Sequence, residues 1–269
     1  MIRQFQICIR WALCVVISSV PVFAQQEVSH YIGLGFGGSD FHLKDVHASP
    51  LIFRGLGITP SIQYCYRGEE SRQYVECSYF RNDLETSSDN FQTKSWRGRF
   101  RYGFLQAVGK FNFLNNAIEL FAGGSLQSFF SKAEYFFTVP PSGSLSRSIA
   151  SWYWSHSLDV AGALEYTVGP REFLSIQLAI PLVSNVSRPQ YSPSGDYNYY
   201  ENDWKIHAFG ETEFVPRNFS IDLLIMYQRP FIAGLNLYVS YEFYSTSYDT
   251  PGAVAMYMNN FRAGISLCL

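Results

Sequence analysis

Three arginines alternate in one short stretch, Arg97-Gly98-Arg99-Phe100-Arg101. On an extended chain, successive side chains point to opposite faces, so the three guanidinium groups share a side. Arginine does not deprotonate in proteins, so such a row must be met by carboxylates or by an incoming anion. Acids sit at equivalent positions of other alternating segments: Glu76, Glu119, Asp159, Glu165, Asp222 and Glu242, with Arg262 as a further cation. Facing one another, these residues make either a buried ion-pair lattice or an anion-attracting constriction. Two smaller groups have the residue types for other chemistry. His42, Asp45 and His47 carry metal-ligand atoms within six residues. Asp83 and Glu85, with Asp203 and His207, have the types of a general acid/base set. Both groups read best as solvated loop residues, and P-loop, G-x-S-x-G, H-E-x-x-H and C-x-x-C motifs are absent from the sequence. The expectation is no catalytic residue, no metal and no cofactor.

The elements that must position the arginines are strands. Between Ser151 and Pro181 the chain alternates almost without interruption. Trp152, Trp154, Leu158, Val160, Leu164 and Tyr166 share one parity, and Ser151, Ser155, Asp159, Ala161, Ala163 and Glu165 the other. After a turn at 168–172, Leu174, Ile176, Leu178, Ile180 and Leu182 oppose Ser175, Gln177 and Ala179. The same pattern recurs at about 30–40, 56–66, 73–82, 94–112, 118–131, 218–228, 235–245 and 257–269, which makes ten strands, with eight or twelve as alternatives. Apolar parity switches near Gln106, which predicts a bulge. Connections after even strands read as short. Those after odd strands read as long and rich in Ser, Pro, Asp, Asn and Tyr, the longest being about 184–217. From Trp154 to Tyr166, twelve steps of about 3.4 Å tilted by about 40° rise roughly 30 Å, near the height of a bilayer's apolar band. Trp96, Trp152, Trp154 and Tyr166 are therefore the expected membrane-interface aromatics.

Composition agrees. Aromatic residues make up 17% and charged residues 16%, against about 25% charged in an ordinary soluble domain. Mean hydropathy is −0.04, as expected where apolar residues are hidden in alternation. Net charge is −2 without a basic tract, which argues against nucleic acid as a partner. Arg3 and Arg10 precede the apolar run Trp11–Ile17 and the small-residue end Val22-Phe23-Ala24. That order reads as a signal peptide over 1–24, leaving one domain over 25–269. The alternation puts Cys65 with the polar residues Ser61 and Gln63 and Cys77 with Val75 and Tyr79, on opposite faces, so the sequence favours free thiols over a bridge.

The chain resembles the bacterial outer-membrane β-barrel proteins, of the porin-like, Bacteroidota-type kind. The resemblance rests on Tyr31-Ile32-Gly33-Leu34-Gly35-Phe36-Gly37, Lys110-Phe111-Asn112-Phe113-Leu114-Asn115-Asn116 and the closing run Asn260–Leu269. It implies an antiparallel up-and-down transmembrane β-barrel in the outer membrane. It also implies a lipid bilayer as partner, handling of the last strand by the barrel-assembly machinery, and surface-exposed loops. Omptins, ten-stranded outer-membrane proteases, are similar in strand count and loop positions. Their acidic pair is two Asp where this chain has Asp83-Leu84-Glu85, and their Asp and His are two apart where Asp203 and His207 are four apart. The expected function is non-enzymatic: envelope structure, surface interaction, or restricted passage or binding of a small solute. An omptin-like protease at the outer rim is the alternative.

Overall fold

In a computed structural model, the described residues are 29–46, 49–86, 91–113, 116–138, 146–169, 171–188, 211–214, 217–232, 234–249 and 253–269. The expected signal peptide, His47, Asp203 and His207 lie outside them.

The described residues form twelve strands: β1 (Ser29–Asp45), β2 (Ser49–Ile58), β3 (Ser61–Arg67), β4 (Ser71–Glu85), β5 (Phe91–Phe113), β6 (Asn116–Thr138), β7 (Ser146–Gly169), β8 (Glu172–Ser187), β9 (Glu211–Phe214), β10 (Asn218–Ile232), β11 (Leu235–Tyr248) and β12 (Val254–Cys268). Each pairs antiparallel with its neighbours, and β12 pairs with β1, so the sheet closes on itself. β2 and β3 both pair with β1 and β4, and β9 and β10 both pair with β8. Each couple is thus one broken wall strand, and the barrel has ten wall positions, as the alternation predicted. The first break falls at Thr59-Pro60. Proline has no N–H to donate there, but Thr59 N donates to Gly37 O at 3.0 Å and Pro60 O accepts from Tyr79 N at 3.1 Å. The parity switch of β5 is a register shift between Ala107 and Gly109.

Glycine in β1 has a spatial reason. A Cβ on Gly37 would strike the backbone of Phe261 and Arg262 on β12, so the neighbouring strand approaches too closely for any side chain.

One expectation is corrected. The first long loop is only the three residues 46–48, because β1 and β2 continue as a ladder through positions read as loop. β4 to β7 likewise continue upward, and β5 and β6 each reach 23 residues. These extensions lie toward the end carrying connections 46–48, 86–90, 139–145, 188–210 and 249–253, here called the loop end. The opposite, turn end carries 68–70, 114–115, 170–171 and 233–234.

The interior changes character along the axis. Toward the turn end the outward face is apolar: Ile32, Leu34, Phe36, Val239, Phe261 and Ile265 are exposed. The inward face there carries charges. Toward the loop end the outward face gains polar residues, with Lys44, Arg81, Asp83, Glu85 and Lys94 exposed alongside a few apolar ones such as Ile52 and Phe214. Its inward face is a packed cluster including Phe41, Phe53, Phe80, Phe129, Tyr135, Tyr244, Met256 and Met258. Single strands show the reversal. On β12, Val254, Met256 and Met258 point in above, and Asn260, Arg262 and Ser266 point in below.

Candidate functional site

The ladder of β5 carries Arg97, Arg99 and Arg101 to the inside of the barrel, as the spacing required. β4 brings Glu76 opposite Arg101, and closure of the ring brings Asp222 of β10, Glu242 of β11 and Arg262 of β12 across the lumen. Arg101 donates to Glu76 at 2.6 Å and to Asp222 at 2.8 Å. Arg99 donates to Glu242 and lies 3.6 Å from Glu76 and 3.5 Å from Asp222. Arg262 donates to Glu76 and, at 3.3 Å, to Glu242. Asn260 Nδ2 adds a 3.1 Å bond to Glu242. Three guanidinium groups and three carboxylates make the cluster neutral by formal charge. Its members are 0% to 6% exposed, so the lattice fills the lumen at this level. Charges this deep are tolerated because each is paired.

A second tier lies at the turn end. Arg72 reaches Glu119 at 3.0 Å and Glu165 at 3.1 Å, and Arg67 also donates to Glu165. The two guanidinium groups lie over the Phe121 and Phe173 rings, Arg72 at 4.3 Å and Arg67 at 3.7 Å. The expected strand bounds of about 56–66 and 73–82 leave Arg67 and Arg72 between strands. They are the inward residues at the ends of β3 and β4, and the acids Glu119 and Glu165 were a signal that cations must face them. A third pair, Asp45 with Arg188 at 2.9 Å, sits at the loop end, where Asp45 also accepts from Ser151 at 2.6 Å.

Two of the expected charges stand apart from the lattice. Asp159 points inward and accepts from Ser125 at 3.0 Å. Arg97 is 0% exposed and has no carboxylate within ion-pair distance among the described residues. Its guanidinium lies 3.4 Å from the Phe41 ring centroid and donates to Asn82. Asn82 in turn donates to Ser39 O at 3.2 Å and Gly55 O at 3.1 Å, tying β4 to β1 and β2. Arg97 therefore marks the boundary between the ionic and the aromatic interior.

Of the other two candidate groups, only His42, Asp45, Asp83 and Glu85 are among the described residues. His42 and Asp45 lie on opposite faces of β1: Asp45 is in the lumen, while His42 stacks on Tyr257 with ring centroids 4.1 Å apart. Asp83 and Glu85 are exposed on the outer face of β4, turned away from the lumen. Among the interface aromatics, Trp96 and Trp154 flank Phe130, with ring centroids at 5.3 Å and 4.4 Å. Tyr166 bonds Asn116 near the turn end. Trp152 departs from expectation. It lies on the outward parity but is only 4% exposed. Cys65 and Cys77 are free thiols.

No protein-family model matches the chain, and no curated protein matches it. Solved structures do. The outer membrane protease OmpT from Escherichia coli aligns with a TM-score of 0.51 and 12% identity, over 94% of this chain and 100% of that one. The translocator domain of autotransporter NalP from Neisseria meningitidis aligns with a TM-score of 0.50 and 9% identity, over 98% of this chain and 95% of that one. At such identities the likeness is one of fold: this chain has the closed, antiparallel up-and-down β-barrel fold of bacterial outer-membrane proteins.

Proposed function

We propose that the chain is a non-enzymatic outer-membrane protein whose barrel is sealed, and whose loop-end half stands clear of the lipid as a rigid rod at the cell surface. The observation that carries this reading is the reversal of inward and outward polarity along the axis. An apolar outer face around a polar interior suits lipid. A polar outer face around an aromatic core suits water. β5, 23 residues long, rises about 58 Å at about 3.3 Å per residue and about 40° of tilt, against an apolar band of about 25 Å. About half of that length is then outside the band. The neutral lattice and the aromatic cluster above it support an envelope or surface-presentation role over solute passage. For catalysis, Asp83 and Glu85 face outward and away from the barrel mouth, which leaves the acid pair of the omptin-like alternative without its position.

Thiol labelling tests the reading. In a background with Cys65, Cys77 and Cys268 changed to Ser, Ser247→Cys and Val239→Cys lie on the same outward parity of β11. A membrane-impermeant maleimide applied to intact cells is expected to label Ser247→Cys and spare Val239→Cys. In planar bilayers the purified barrel is expected to give no steady conductance. Labelling of both positions, or stable open channels, would overturn the proposal.

A further inference from the structure

The buried carboxylates of the barrel follow one rule, with one exception. Asp45, Glu76, Glu165, Glu213, Asp222 and Glu242 each stand within ion-pair distance of an arginine. Asp159 is as deeply buried, at 5% exposure, and among the described residues has no cation within that distance. Arg101 shares a rung with Gln127 and Ser157 beside it. Its terminal nitrogens, however, go to Asp222 at 2.8 Å and Glu76 at 2.6 Å.

The side chains beside Asp159 offer oxygen. Ser125 of β6 lies opposite it, and Gln127 lies opposite Ser157 on the same two strands. All four side chains face the lumen, and each residue is more than nine-tenths buried. Opposite and diagonal neighbours on one face of a sheet are close enough to meet at one point. Ser125 donates to Asp159 Oδ2 at 3.0 Å, and the Ser157 hydroxyl also bonds this carboxylate. Asp159 Oδ1 and Gln127 Oε1 have no hydrogen-bond partner among the described residues. The backbone is irregular at the same place. β7 and β8 shift register between Leu158 and Asp159, which sets Asp159 opposite Pro181. Such a bulge re-aims a side chain.

We propose that Asp159 Oδ1 and Gln127 Oε1, with the lone pairs of the Ser125 and Ser157 hydroxyls, hold a monovalent alkali cation inside the barrel. The donor set is all oxygen, which suits a hard cation. A hydroxyl that donates its proton to a carboxylate keeps lone pairs for a metal. Charge sets the valence. Asp159 supplies one negative charge and its three neighbours are neutral. A monovalent ion balances that charge, whereas a divalent ion leaves a buried excess. Water satisfies the two oxygens but leaves the carboxylate uncompensated, in a lumen where the other buried carboxylates are paired. The ion does for Asp159 what arginine does for Glu76 and Asp222.

The test uses the full barrel in a neutral detergent, so the readout does not depend on the membrane reading. Sodium or potassium chloride is exchanged for choline chloride at constant ionic strength, choline being too large for the site. The unfolded-to-folded ratio in urea, read by gel migration, is expected to fall about tenfold as the alkali ion rises from about 5 to about 200 mM. Dependence on either ion supports the site, and the stronger dependence identifies the occupant. Asp159→Asn is expected to lose the dependence, while Asp83→Asn, at an exposed carboxylate of the outer wall, keeps it. Crystals grown with thallium(I), a heavy stand-in for an alkali ion, are expected to show its anomalous signal beside Asp159. The salt series and the thallium map are both read on the unaltered chain, so they decide the matter even where Asp159→Asn fails to fold. Stability indifferent to either ion, an undiminished dependence in Asp159→Asn, or no thallium signal at Asp159 would overturn the proposal. A water at the site, a protonated Asp159, or a Gln127 amide turned to donate to it gives the first of these results.

Discussion

The lumen near Glu242 and the lumen near Phe129 are enclosed by the same strands, yet one is an ionic lattice and the other an aromatic core. Arg99, Arg101, Arg262, Glu76, Asp222 and Glu242 fill the first; Phe41, Phe53, Phe80, Phe129, Tyr244 and Met258 fill the second. The wall explains the difference. Where the outer face is aliphatic, as at Leu34, Val239 and Phe261, polarity has gone inside. Where the outer face carries Lys44, Arg81 and Lys94, the aromatic residues have gone inside. Period-two alternation permits either arrangement, and on the proposed membrane reading the surrounding solvent selects between them. The comparison teaches that the two faces of a barrel wall can exchange character partway along its strands without changing its hydrogen-bond ladder.

The largest way to break this comparison is to leave the lattice with an unpaired charge. Glu76 faces Arg99, Arg101 and Arg262. Glu76→Leu is expected to lower stability by about 3–5 kcal/mol, because its partners stay buried. Urea unfolding in lipid vesicles, followed by gel migration, measures it. A loss below about 1 kcal/mol would mean that water already reaches the lattice.

The next effect contrasts the two outer faces on one strand. Val239→Arg places a charge on the aliphatic section and is expected to cost about 2–4 kcal/mol. Ser247→Arg, on the same parity of β11 nearer the loop end, is expected to stay within about 0.5 kcal/mol. The same unfolding assay reads both, and equal costs would erase the distinction between the sections.

The smallest effect concerns the boundary. Arg97 contacts Phe41 and Asn82 and, among the described residues, no carboxylate. Arg97→Met therefore strands no opposite charge and is expected to cost about 1–2 kcal/mol, from the lost ring contact and hydrogen bond. A loss as large as that of Glu76→Leu would place Arg97 inside the lattice.

The wall was legible in the alternation. Arg97, Arg99, Arg101, Glu76, Asp159, Asp222, Glu242 and Arg262 all face inward, as their parity required, and the bulge near Gln106 is present. The site was legible only as a list. Arg67 and Arg72 were hidden because a strand's last residues look like turn residues when only polarity is read. The extensions of β1 and β2 were hidden for a related reason. Toward the loop end, outward side chains turn polar while Phe41 and Phe53 turn inward, and the mixture reads as loop.

What the sequence determined by itself is local: ten alternating runs, the face each residue takes, and the end of each aliphatic run. These follow from the geometry of an extended chain, in which neighbours point to opposite sides. Tertiary structure decided who meets whom. Arg99 and Glu242 are 143 residues apart and Arg262 and Glu76 are 186 apart. Their contacts exist because pairing of β12 with β1 closes the ring and fixes the register of every strand across the lumen. No local pattern carries that information, because register is a property of pairs of strands, and closure of all of them together.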